Sequence, residues 1–451
     1  MKLSFLSQNM EQRRDLILKG NVVSTILMLS VPSLMMGVVQ SLIPVIDGLF
    51  LNNIVGTTAA SAVTYCTPVV NMTTALSQGL SVAGMAIIGQ ANGRGDFKES
   101  RRTTIQLIVF ALILGIVLAP LLVVGAFGLS DHVNEEIAHN VFIYISLNAL
   151  VIPFSFLESV YNAIKNANGR PEDSFIRMII MLVLKIVFNT LFIAVFSWGL
   201  VGSVMASLAS NILITLWMFY ELFLKKNSDR LEMRGFKFDR KIIKKLLYIG
   251  FPSMLSNLML NLGFFLINNE VEKYGSIVLN GQGIANNITS VCFILPSSFA
   301  SAITTMVSMN VGALQVKRAK YSCLIGCIVS AVTAALLIAI VVPLSSHLTV
   351  LFTREAQVLA VANKALHIYT YSVIGFGVCM VEQGAFIGLG KTKITLVMSI
   401  LRVWLLRYIF ILVTESFLSY YSVFWGNLFS NYMAALITTI LILKVSWESD
   451  I

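Results

Sequence analysis

Residues 22–50 read VVSTILMLSVPSLMMGVVQSLIPVIDGLF. From Val22 to Ile46 there is no charge in twenty-five residues. A helix needs about 20 apolar residues to cross roughly 30 Å of hydrocarbon, so this run is membrane-length. A single carboxylate, Asp47, then stands near its far end. The stretch raises the fold question and the functional one together.

The pattern recurs along the chain. Its 451 residues are 57% hydrophobic and only 12% charged, against about 25% charged in soluble domains. A soluble chain of this length would split its apolar residues among separate cores with charged surfaces between them. Here the charges cluster between long apolar runs. The reading is an all-α polytopic membrane protein with twelve spans. They fall near 24–51, 59–91, 103–127, 138–163, 172–197, 200–224, 246–271, 277–311, 321–343, 356–387, 394–414 and 420–444.

The net charge of +10 does not imply nucleic acid, because the bases concentrate in alternate loops. Arg13, Arg14 and Lys19, then Arg94, Lys98, Arg101 and Arg102, mark one side, as does the run from Lys225 to Lys245. The intervening loops carry Asp131, Glu135, Glu136, Glu270 and Glu272. The positive-inside rule places both termini in the cytoplasm, and the chain is expected in the plasma (cytoplasmic) membrane.

The five cysteines (Cys66, Cys292, Cys323, Cys327 and Cys379) all lie in apolar runs and read as packing residues. A membrane enzyme would need a His or acidic cluster at a cavity. The four histidines, His132, His139, His347 and His367, are scattered. AFIGLGKT at 385–392 fits a relaxed phosphate-loop pattern. It lacks the preceding strand that such a loop requires, and reads as a cytoplasmic turn.

The long polar stretch 225–245 follows span six and divides the chain into 1–224 and 246–451. The halves match weakly. Pro32 pairs with Pro252, Gly56 with Gly275, Gly93 with Gly312, and Gly169 with Gly388 or Gly390, at offsets of 219 to 221. Six spans per half, starting on the same side, make a parallel repeat with a central cavity between two lobes.

Polar residues inside spans are costly and tend to face the protein interior. Ser33, Gly37, Gln40, Pro44 and Asp47 follow a spacing of 4, 3, 4 and 3, which is one helix face. Thr67, Asn71, Thr74 and Gln78 repeat the pattern, as do Asn257, Asn261 and Asn268, and Asn280, Gly283 and Asn287. Interhelical hydrogen bonding explains any one of these. Four stripes in matching spans point to a substrate cavity lined by Gln40, Asn71, Gln78, Asn257, Asn261 and Asn287.

Six charges lie within spans: Asp47, Glu158, Lys185, Glu382, Arg402 and Arg407. Lys185 either snorkels to the cytoplasmic face or pairs with Asp47. Glu382 and Arg402 fall at similar depth on consecutive helices and are expected to form a structural ion pair. Arg407 lies five residues beyond Arg402, about 140° round an α-helix, so it should occupy a different face.

These features together resemble the multidrug and toxic compound extrusion (MATE) transporters. The carriers are SVPSLMMGVVQSLIPVIDGLFLNNIVG (30–56), GQANGRGD (89–96), NANGRPEDS (166–174), WGLVGSVMAS (198–207) and the repetition of this layout in the second half. The resemblance implies two six-helix bundles in a V around a substrate cavity. It also implies a secondary active transporter, not an enzyme, that exports small amphiphilic or cationic compounds in exchange for a cation. It further implies a monomer in the lipid bilayer, with no cofactor beyond the ion gradient. The family's cation site falls on Asp47, Lys185, Asn189 and Ser207. Here KIVFN (185–189) places an ammonium and an amide where the family has an amide and an acid. Nor does the second half show the acids that some members carry: NLMLNLGF offers amides, and the span-10 position falls near Phe376. A sodium site needs oxygen ligands and negative charge, so a proton is preferred over sodium. The alternative is a flippase or exporter of a lipid-linked or amphiphilic product, without the usual coupling.

Overall fold

The computed structural model describes residues 9–131, 135–225, 230–233 and 236–448. His132 and parts of the expected 225–245 linker lie outside them.

The described residues form helices throughout. The first half holds α1 (Met10–Lys19), α2 (Val22–Phe50), α3 (Thr57–Arg94), α4 (Phe97–Ser130), α5 (Glu135–Asn148), α6 (Ile152–Ala167), α7 (Pro171–Asn189) and α8 (Gly199–Phe219). The second half holds α9 (Arg240–Glu272), α10 (Ser276–Gly312), α11 (Val316–Val350), α12 (Ala356–Gly388), α13 (Thr392–Ile400), α14 (Phe410–Leu418) and α15 (Tyr421–Lys444). Among the described residues four stretches are π-helical: Leu51–Val55, Thr190–Val195, Tyr220–Leu224 and Leu401–Ile409.

Among the described residues eleven helical stretches are long and apolar enough to cross a bilayer. The pair Ala138–Asn148 and Ile152–Ala167, bent by 49°, makes a twelfth if it counts as one span. This is the expected all-α polytopic architecture. The break is local in origin. Pro153 enters at the start of α6, where its missing N–H is tolerated, and its ring cannot continue α5.

The internal repeat appears in the helix starts. Thr57 of α3 and Ser276 of α10 are 219 apart, Phe97 and Val316 also 219, and Pro171 and Thr392 221. Backbone conformation repeats too. Gly56 and Gly275 hold φ of 118° and 89°, and Gly169 and Gly390 hold 70° and 81°. Gly390, not Gly388, is therefore the conformational partner of Gly169. Positive φ beyond the left-handed well is open in practice only to glycine, which lacks a Cβ.

By internal packing the chain forms two units: Met1–Arg14 with Met35–Met254, and Asp15–Leu34 with Leu255–Ile451. The sequence places the division at 225–245. The change in internal packing falls inside α2 and inside α9. Leu34 and Met254 each lie two residues beyond a repeat-related proline, Pro32 and Pro252. Proline removes a backbone hydrogen bond and loosens the turn behind it.

In the first unit, α1 seals helix ends. Arg14 donates to the carbonyls of Asn92 and Gly93 at 3.0 and 2.8 Å. Those oxygens belong to the final turn of α3, where cations answer the helix dipole. Arg13, fully buried, donates to the Gly169 carbonyl at 3.3 Å and pairs with Glu172. Burial pulls the Arg13 guanidinium below the usual arginine range, while Glu172 opposes that shift.

In the second unit, α10 and α12 pack through small residues. A Cβ on Gly384 would meet the Ala300 carbonyl oxygen at 2.4 Å, and one on Gly388 would meet the Thr304 oxygen at 2.9 Å. Two glycines four residues apart let the backbones approach closely, which gains dispersion where lipid supplies no hydrophobic drive. Phe299, Met306, Val381 and Phe386 fill the adjoining core.

Candidate functional site

In the first unit α2, α7 and α8 bring four polar side chains together. Asp47 lies near the end of α2, one turn before the π-helical Leu51–Val55. Lys185 and Asn189 are four apart on α7, hence on one face. The π-helical Thr190–Val195 begins directly after Asn189. Such stretches occur frequently at functional sites.

The contacts close around the carboxylate. Lys185 Nζ stands 2.8 Å from Asp47 Oδ2. Asn189 Nδ2 donates to Asp47 Oδ1 at 2.7 Å. Lys185 Nζ also donates to Ser207 Oγ at 2.6 Å, and that hydroxyl in turn donates to the Ser203 carbonyl. Both oxygens of Asp47 are thus occupied. Lys185 is 4% exposed and Asp47 24%. Of the two readings left open for Lys185, pairing with Asp47 is the one observed.

The expected pair of Glu382 and Arg402 does not form. Glu382 Oε1 accepts from Thr439 Oγ1 at 2.7 Å, and Arg402 lies over the Phe376 ring at 5.2 Å. The reason is azimuth. Phe376 and Met380, four apart, share the face of α12 that meets Arg402. Glu382, two residues beyond Met380, points to the opposite side, toward α15. Similar depth does not imply a shared face.

Arg407 corrects a second expectation. Arg402 and Arg407 line one cavity of about 460 Å³ within the second unit. An α-helix would hold them about 140° apart. They lie instead in the π-helical Leu401–Ile409. Its i→i+5 bonding brings residues five apart nearly over each other. No periodicity in the sequence announces a π-helix.

The amides placed at the substrate cavity fall outside this one. Gln40, Asn71, Gln78, Asn261 and Asn287 are exposed and Asn257 is half-buried. Asn268, from the same stripe, and Asn286, one residue from Asn287, do line it. A one-residue step turns a side chain by about 100°. Sequence reasoning also missed the pair of Glu158 and Arg177, at 2.8 Å, and Lys165 bridging Asp173 and Glu221. In each, the partners are brought together from different helices. Among the described residues no group of three or more His, Cys, Asp or Glu side chains could hold a metal ion.

A family model, MatE, matches residues 32–191 and again 252–413. The chain belongs to the MatE family. The two matched stretches begin 220 residues apart, which is the internal repeat read from its prolines. MatE proteins are secondary transporters and not enzymes. Among similar proteins is the probable multidrug resistance protein YoeA of Bacillus subtilis (strain 168), 24% identical over 83% of this chain and 83% of its own length. The multidrug export protein MepA of Staphylococcus saprophyticus is 18% identical over 85% of each chain. Among solved structures, MATE in complex with MaL6 superposes with a TM-score of 0.90 at 22% identity, covering 95% of this chain and 97% of that one. A MOP superfamily transporter from Pyrococcus furiosus, described as having a binding pocket of reverse polarity, superposes at 0.89 with 22% identity, covering 95% and 96%. These likenesses establish the shared MatE fold.

Proposed function

We propose that this MatE protein is a proton-coupled exporter of small amphiphilic compounds, cationic ones included, working by alternating access in the plasma membrane with both termini cytoplasmic. The observation that carries the coupling is Asp47, with Lys185 on one oxygen and Asn189 on the other. Protonating Asp47 would remove the charge that holds Lys185. The ammonium, 4% exposed, would then lack a counter-charge in a site where an unpaired charge is costly. Rearrangement of α7 against α2 and α8 would follow, and deprotonation would reverse it. Lys185 beside the carboxylate disfavours sodium, because the ammonium takes the place of the metal ion. The names of the relatives, multidrug resistance and multidrug export proteins, support a drug-like substrate range. The exposed amides Gln40, Asn71, Gln78, Asn261 and Asn287 would offer such compounds hydrogen-bonding groups. The lobes of this exporter are 1–224 and 246–451, acting as a monomer.

The test is ethidium transport in proteoliposomes under an imposed pH gradient, without sodium. Wild-type protein should transport, and Asp47→Asn should not, while remaining monodisperse. Full transport by Asp47→Asn, or a strict sodium requirement, would overturn the reading. A second reading, export of a lipid-linked or amphiphilic product without cation coupling, draws on the same ion pair. There Lys185 substitutes permanently for the coupling ion, and transport would not respond to the pH gradient.

A further inference from the structure

We infer that the cavity of the second unit is a binding site for the anionic head, carboxylate or phosphate, of a small amphiphile, held by Arg402 and Arg407. The inference goes beyond the coupling proposed for Asp47 and does not depend on it.

Arg402 and Arg407 are 6% and 8% exposed. Neither forms a salt bridge among the described residues, and the Nε of each has no hydrogen-bond partner. Phe376 lies 5.2 Å from Arg402 and Phe264 5.9 Å from Arg407, and the neutral Tyr369 hydroxyl hydrogen-bonds Arg407. Cation–π attraction offsets only part of the cost of burying a guanidinium. Two buried cations without a counter-ion are the arrangement that an anion would complete.

The rest of the lining fits such a ligand. Asn268, Gln282, Asn286, Asn427 and Asn431 supply neutral polar groups. No carboxylate lines the cavity among the described residues. Leu260, Phe264, Phe293, Phe376 and Met380 form apolar walls. About 460 Å³ lies within the usual range for small-molecule sites. Arginine's planar fork matches carboxylate and phosphate oxygens in pairs.

The repeat gives an independent argument. Gly199 of α8 and Tyr421 of α15 begin equivalent helices 222 residues apart. The offset of 221 that relates Pro171 of α7 to Thr392 carries Lys185 onto Leu406, and the 222 of the next helix carries it onto Arg407. The offset of 219 that relates Gly56 to Gly275 carries Asp47 onto Leu266. The second half therefore has a cation at or next to the position of Lys185, and leucine in place of Asp47. The counter-charge that Asp47 supplies to Lys185 must come to Arg407 from elsewhere, and the open cavity is where it can enter.

The experiment uses full-length protein in phosphatidylcholine nanodiscs and radiolabelled 1-naphthyl phosphate as the probe. Saturable binding is expected, with competition by 2-naphthoate and little by neutral 2-naphthylmethanol. Arg402→Gln and Arg407→Gln should each weaken binding by about 10- to 100-fold. Lys98→Gln, which removes an exposed charge, should leave it unchanged. Equal competition by the alcohol overturns the inference even if the arginine variants fail to fold. So does wild-type affinity in folded arginine variants. Nanodiscs containing phosphatidylglycerol separate two sources of the anion. A reduced probe affinity there would make a lipid head group the occupant, and an unchanged affinity a free small anion; either supports the site. Ethidium transport under a pH gradient reports separately on Asp47, so the two proposals can fail independently.

Discussion

Lys185 Nζ lies 2.8 Å from Asp47 Oδ2, and the lysine is the more deeply buried partner, 4% exposed against 24%. The asymmetry sets an order of consequences. Removing Asp47 strands a cation away from water, whereas removing Lys185 strands a carboxylate that water and Asn189 still reach. Asp47→Ala should lower stability by about 3 kcal/mol or more. Lys185→Met should cost less, and Asp47→Leu combined with Lys185→Met should recover most of the loss. Thermal unfolding of the purified variants gives the order. A double variant less stable than either single one would refute the pairing argument.

Ser207 is the second partner of Lys185, at 2.6 Å. Ser207→Ala deletes one acceptor and leaves the ion pair intact. A loss of about 1–2 kcal/mol is expected, with ethidium transport retained. Abolished transport in a variant of near wild-type stability would give the hydroxyl a larger role than this geometry supports.

Arg177 is 1% exposed and donates to Glu158 Oε2 at 2.8 Å and Asn162 Oδ1 at 3.3 Å. Arg177→Met leaves Glu158 without its cation, for a loss of about 3–5 kcal/mol. Arg177→Lys should rescue this only in part, because a single ammonium cannot match a fork that reaches two acceptors. Melting midpoints of the two variants test the claim, which fails if lysine restores wild-type stability.

Gly56 and Gly275 combine φ of 118° and 89° with ψ of 167° and 172°, and a Cβ at either would meet nothing within 4 Å. The constraint is therefore backbone conformation alone. Alanine at each should destabilise by about 1–3 kcal/mol. Gly283, inside α10 and equally uncrowded, should accept alanine with a gain of up to about 1 kcal/mol. Comparable losses at all three positions would show that φ is not the cause.

The membrane class and the span positions were legible because both depend on local chemistry. An apolar run such as Val22–Ile46 can satisfy its backbone in lipid only as a helix, whatever surrounds it. The repeat was legible for a similar reason: Gly56 and Gly275 mark turns whose φ few other residues adopt. Asp47, Lys185, Asn189 and Ser207 could be named from the resemblance to MATE transporters, and Lys185 and Asn189 also share a helical face.

Other features were not legible in this way. The Glu382–Arg402 pair was expected from depth along the membrane, and depth says nothing of azimuth. Arg407 was set apart from Arg402 by α-helical arithmetic, which the π-helical Leu401–Ile409 does not obey. The helical stripe of α10 points to Asn287, whereas its neighbour Asn286 lines the cavity.

The sequence by itself determined that this chain crosses the membrane as helices, repeats itself once and carries one acid near the end of its first span. Those properties rest on hydropathy, chain direction and backbone conformation, which act within a few residues. Only the tertiary structure decided which charges meet. Lys185 reaches Asp47 across 138 residues of chain, while Arg402 and Arg407 turn into a cavity that no carboxylate lines among the described residues. Azimuth and helix pitch, set by packing between helices, settle that choice, and no local pattern encodes them.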